Sequence, residues 1–151
     1  MLDACGNNPN SKSLEDEVKP VKADTSDMLL GYDLDEDGIR EDIEEYIKNL
    51  NITDTQKAAT RFEAKILQDT LTVDTEDLAS LKKSNKNMLA AINCMNSQFE
   101  NYEDADAIGV SLEEKTFNTT LRLNTYKQYN AALAESELAI ELPSGDSCQV
   151  F

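Results

Sequence analysis

One acidic stretch constrains this chain more than any other. Residues 33–44 read Asp33-Leu34-Asp35-Glu36-Asp37-Gly38-Ile39-Arg40-Glu41-Asp42-Ile43-Glu44, and eight carboxylates with one arginine fall between Asp33 and Glu45. Like charges set so close repel, and some stay protonated unless a cation neutralises them. Calcium takes about six to eight oxygens, and a twelve-residue loop supplies them from alternate positions. Asp33, Asp35 and Asp37 hold the first, third and fifth positions, and Gly38 the sixth, where the chain must turn sharply. Ile39 would offer its backbone carbonyl, Glu41 would act directly or through water, and Glu44 stands where a bidentate carboxylate closes the site. The pattern predicts a Ca2+ site built from Asp33, Asp35, Asp37, Ile39, Glu41 and Glu44. The alternative is a metal-free acidic cap on the helix that follows, whose macrodipole favours negative charge at its start.

Two departures from a regulatory EF-hand bear on its role. Gly31-Tyr32 and a polar stretch precede the loop, so no helix leads into it, and no second copy occurs. EF-hands that sense calcium open a groove on binding. A single loop without that first helix is expected to brace a fold, with modest affinity, rather than switch it.

The chain's 151 residues allow one domain with a proper core. A net charge of −16 argues against nucleic acid and anionic membrane surfaces as partners, and permits a basic protein. There is no histidine, which removes Ser-His and Cys-His nucleophiles and the usual zinc sites. Only five glycines are present, and no phosphate-cradling loop appears among them.

The cysteines are Cys5, Cys94 and Cys148, an odd count. Leu2-Asp3-Ala4-Cys5-Gly6 resembles the end of a bacterial lipoprotein signal, with Cys5 as the lipidated residue and Asp3 unusual before it. The expectation is a chain that begins near the processing site. The alternative is a thiol in a disordered leader. With Cys5 lipidated, Cys94 and Cys148 remain as a disulfide in an oxidising compartment, or as two buried thiols in a cytosolic one.

Residues 1–27 are polar and short of large apolar groups, so a disordered tether is predicted there, ahead of a helical domain over 28–151. Met28-Leu29-Leu30 should pack on that domain and fix the approach to the loop. Helical periodicity predicts a first helix from Ile39 to Leu50 and a second from Asp54 to Val73, capped by Thr53 with Gln56. A third, longest helix should start after Thr75 and bury Leu78, Leu81, Met88, Leu89, Ile92, Met95, Phe99 and Tyr102. Glu100–Gly109 reads as a solvated acidic break. Ser111-Leu112-Glu113-Glu114 has capping-box spacing, so the fourth helix is expected over Leu112–Ala134, burying Leu123, Tyr126, Asn130 and Leu133. Asn118, Thr119, Asn124 and Thr125 weaken the helical propensity there, so a kink is expected within it. Pro143-Ser144-Gly145-Asp146 should turn Cys148 back to the body. No strand-period run occurs, and no segment is apolar enough to span a bilayer. The predicted fold is all-α, a small antiparallel bundle of about four helices with the EF-hand-like loop at the start of the first.

Several features in order resemble a family of uncharacterised bacterial lipoproteins. They are the loop with Ile39-Arg40-Glu41-Asp42-Ile43-Glu44-Glu45-Tyr46-Ile47, then Lys57-Ala58-Ala59, then Cys94 with Phe99 five residues on. Asn118-Thr119, Arg122, Tyr126, Tyr129-Asn130 and Leu142-Pro143-Ser144-Gly145-Asp146-Ser147-Cys148 follow. The likeness covers most of residues 31–149. It implies export, lipid anchoring and a Cys94–Cys148 disulfide, and it implies no activity.

The functional expectation is an exported, lipid-anchored, calcium-stabilised module in the periplasm or at the cell surface. It would bind another protein and catalyse nothing. One alternative is an immunity or exclusion lipoprotein against a toxin, phage or conjugating cell. Another is a carboxylate-based hydrolase.

Overall fold

The structure, a computed structural model, describes residues 21–139, 141, 143 and 145–149. Within them the chain is all-helical: α1 (Glu41–Asn49), α2 (Asp54–Asp69), α3 (Leu78–Ser97), α4 (Tyr102–Thr116) and α5 (Thr120–Glu135), with short 3-10 turns at Thr70–Thr72 and Ser147–Gln149. α2 is the hub, packed against α1, α3 and α4. Ile43, Ile47, Ala59, Leu67, Leu71, Cys94, Met95, Ile108, Leu112 and Phe117 share one core. Cys5 lies outside the described residues, as does most of the expected tether.

Local signals explain the helix starts. Thr53 and Gln56 form the expected reciprocal box at the head of α2. Asp77, rather than Thr75, caps α3 by accepting from Ala79 and Ser80. α1 begins at Glu41, two residues after the predicted start, because Arg40 is still extended at ψ 138°.

The five helices include one that the periodicity did not predict. The acidic break is only Gln98–Asn101, after which Asn101 accepts from the Glu103 amide and opens α4. Glu103 and Asp104 lie in its first turn, where negative charge suits the macrodipole. Ser111 therefore lies inside α4 and not at a helix start. The expected kink is a full break: Thr119 accepts from the Arg122 amide and starts α5.

Two buried faces differ from the predicted stripes. On α3, Leu78, Ile92 and Tyr102 (which begins α4) are exposed, while Ser84, Ala90 and Ala91 are buried. Small side chains let α2 and α3 approach closely, so the stripe of large residues misplaces the contact. On α5, Leu123 and Asn130 are exposed, and Arg122 and Tyr129 are buried instead. Tyr129 shares a 2.9 Å hydrogen bond with Ser84 of α3.

Cys94 and Cys148 are bonded, with an S–S distance of 2.00 Å. The bridge holds the tail on α3, where Asn93 Nδ2 also donates to Ser147 Oγ at 2.6 Å.

Candidate metal site

The loop folds through its own carboxylates. Asp33 accepts from the amides of Asp37 (3.2 Å) and Gly38 (2.9 Å). Asp37 accepts from Ile39 at 2.8 Å, and Glu41 reaches back to the Leu34 amide at 2.8 Å. Gly38 takes φ +91°, a conformation that side-chain-bearing residues rarely adopt, so the sixth-position glycine is required by the turn.

This folding brings the predicted carboxylates into two groups. Oxygens of Asp33, Asp35 and Asp37 lie within 4.8 Å of one another, and so do those of Asp35, Glu41 and Glu44. Asp35 belongs to both. Ile39 directly precedes Arg40, with its side chain in the core. The donors are carboxylate oxygens without nitrogen or sulfur, which suits a hard cation and not zinc. An amide bond uses one lone pair of a carboxylate oxygen, so Asp33 and Asp37 keep acceptor capacity toward an ion. The residues therefore fit a metal ion.

Glu44 reports the crowding. Its pKa is raised, first by burial and then by Asp37, with Asp35 and Glu41 adding to it against the opposing pull of Arg61. Arg61 of α2 meets Glu44 in a 2.9 Å ion pair. On one side the loop thus rests on a cation of the protein itself.

The other side is held by residues that periodicity passed over. Arg40 and Arg122 are 1% and 0% exposed. Arg40 donates through Nε and Nη2 to the two oxygens of Asp42, and through its Nη atoms to the carbonyls of Lys115 and Thr116. Arg122 donates to the carbonyls of Asp24 (2.6 Å), Met28 (2.9 Å) and Leu29 (3.0 Å), to Asn118 Oδ1 and to the Asp24 carboxylate. Asp24 closes the network, donating its amide to Asp42 and accepting from the amide of Tyr32. Burial pushes the Asp24 pKa up, but hydrogen bonds from Ser26 and Tyr32 and the Arg122 charge reverse this and hold it well below the usual carboxylate range. The Arg122 pKa is lowered by burial and by Arg40, against the pull of Asp24. Asp24 lies inside the segment expected to be tether, so the body of the domain begins earlier than residue 28.

Gly31 sits where these groups converge. It has φ +70°, and a Cβ there would lie 2.5 Å from Asp24 Oδ2 and 2.8 Å from Arg122 Nη2. Gln68 of α2 completes the support, accepting from the Arg40 amide and donating to the Leu30 carbonyl.

A second acidic feature lies on the far side of α2. Glu63 is two residues from Arg61, so it points away from the loop. It is 8% exposed, and its pKa is pushed up to about 7 by burial first, then by Glu113 and Asp106. Periodicity could not find it, because a charged residue at a helical position reads as solvated.

Comparison with family models, with curated proteins and with solved structures gave no match.

Proposed function

We propose that this chain is an exported, calcium-stabilised helical protein, anchored through Cys5, that acts as a non-enzymatic protein-binding module at the bacterial envelope. The observation that carries this reading is the acidic loop itself: two convergent carboxylate groups sharing Asp35, braced by buried arginines. A bound Ca2+ would be held by Asp33, Asp35, Asp37, Glu41 and Glu44, with the Ile39 carbonyl as a further donor, and would supply the missing positive charge. Free calcium is abundant outside the cytosol and scarce within it. The Cys94–Cys148 bridge supports the same compartment, since disulfides persist where the environment is oxidising. The net charge of −16 favours a basic protein partner over nucleic acid.

Fractionation of cells expressing the full-length gene product tests this. The protein should partition with the envelope and release into the soluble periplasmic or external fraction on Cys5→Ser. Recovery from the cytosol with Cys94 and Cys148 reduced would overturn the proposal.

One observation favours the hydrolase reading as a second choice. Glu63, Asp106 and Glu113 line one cavity, where burial and the two neighbouring carboxylates raise the Glu63 pKa. Turnover of a panel of aryl glycosides, lost in Glu63→Gln, would move the assignment to that class.

A further inference from the structure

We propose that the cavity between α2, α3 and α4 is a binding site for a small organic ammonium ion, its charge against Glu63 and its apolar stem against Ile92, Met95 and Val110. The cavity holds about 170 Å³. Drug-sized ligands occupy pockets of about 300–1,000 Å³, so this one takes a single small group.

The charge of the occupant follows from Glu63. The residue is only 8% exposed, and it lines the cavity. No described residue gives it a hydrogen bond or an ion pair, and the charges that act on it, Asp106 and Glu113, are both negative. Buried carboxylates are normally paired, because an unpaired one is costly. Asp106 and Glu113 are exposed at the rim, where they would draw a cation toward the deeper acid.

The lining separates an organic cation from a metal ion. Among the described residues, the acidic groups whose oxygens converge within 4.8 Å are both in the loop. Glu63, Asp106 and Glu113 do not form such a set, whereas divalent ions need several oxygens at about 2.0–2.6 Å. Ile92, Met95 and Val110 offer an apolar wall suited to methylene groups. Gly109 keeps the space open: it lies inside α4, where glycine is disfavoured relative to alanine, and a Cβ there would sit 3.0 Å from Glu63 Oε1.

The test titrates n-butylammonium chloride into the full chain, held in calcium, while amide resonances are followed by NMR. Sodium chloride at matched ionic strength and 1-butanol are controls. Saturable shifts are expected over Ala105–Val110, absent with either control and weakened at least about tenfold in Glu63→Gln. A wild-type readout covers the case in which that variant misfolds. The Glu63 carboxyl carbon should titrate about one pH unit lower with saturating butylammonium than without it. Tyr102, Asp106 and Glu113 of α4, which line the same cavity, and Tyr126 of α5 are ionisable groups around it, and their resonances are followed in parallel. Shifts that never saturate, that persist equally in Glu63→Gln, or that spread over Asp33–Glu44 as much as α4 would overturn the proposal, as would an unchanged Glu63 titration.

Discussion

Arg122 donates to both the carbonyl and the carboxylate of Asp24, a residue 98 positions earlier, and its guanidinium side chain is 0% exposed. That pair fastens the chain approaching the acidic loop to the last long helix. Removing one member of a buried pair leaves the other charge uncompensated, at a cost of about 3–5 kcal/mol. Arg122→Met should lose stability of that order in urea unfolding, since it also leaves three main-chain carbonyls without their donor. Asp24→Asn should cost less, because an amide oxygen can still accept from Tyr32. A loss below about 1 kcal/mol for Arg122→Met would show that the network is not what holds the loop.

The same pair sets the acid limit. The Asp24 pKa is depressed in the fold, so its contribution is present above the unfolded carboxylate pKa and is lost as pH falls. Stability should decline from about pH 4 downward, and the decline should be shallower in Asp24→Asn. Equal acid slopes in the two proteins would contradict this.

Glu63 has the opposite sign. Its pKa is raised from 4.5 to about 7, so the fold binds its proton more tightly than the unfolded chain does. Its contribution is greatest below pH 4.5 and falls as pH rises through about 7. The shift corresponds to about 3 kcal/mol, an order-of-magnitude figure. Glu63→Gln should flatten the stability profile between those pH values and should be the more stable protein at pH 8. A variant less stable than wild type at pH 8, in buffer without amines, would contradict the sign.

The Cys94–Cys148 bridge spans 54 positions. Closing a loop of that length is worth about 4 kcal/mol on the chain-entropy account. Cys148→Ser should therefore lower stability by up to that amount. It should also free the tail, which hydrogen exchange would report as lost protection at Ser147–Gln149 with α2 unaffected. Protection that survives the substitution would mean that the Asn93–Ser147 bond and packing suffice.

Apart from the helical class and the Cys94–Cys148 pair, what was legible in the sequence was local. The loop could be read because its charges recur at fixed spacing, and the Thr53–Gln56 box because its partners are three residues apart. The start of α4 was missed because acidic residues after Asn101 look solvated, although they suit a helix N-terminus. The burial of Arg40, Arg122 and Glu63 was missed for a related reason. Period-based reading assigns charge to the surface, and these side chains are buried by partners distant in sequence. Gly31 gave no signal of its own, since its role exists only once Asp24 and Arg122 meet over it.

Calcium should act through Asp35. It belongs to both carboxylate groups, so Asp35→Ala should abolish the metal response where Asp33→Ala only weakens it. Free ligand at about a hundred times its dissociation constant stabilises by about 2.7 kcal/mol, which for a domain of this size raises the melting temperature by roughly 10 °C. Magnesium should give much less, because it demands stricter octahedral geometry. Arg61 competes for the same carboxylate: it pairs with Glu44 at 2.9 Å while 44% exposed, so solvent screens it and its effect is modest. Arg61→Met should tighten calcium binding by about two- to fivefold in calorimetric titration, while slightly destabilising the calcium-free protein. Weaker calcium binding in Arg61→Met would mean that the arginine positions Glu44 for the ion instead of competing with it. A melting temperature that is the same in calcium and in chelator would reduce the loop to an acidic cap for α1.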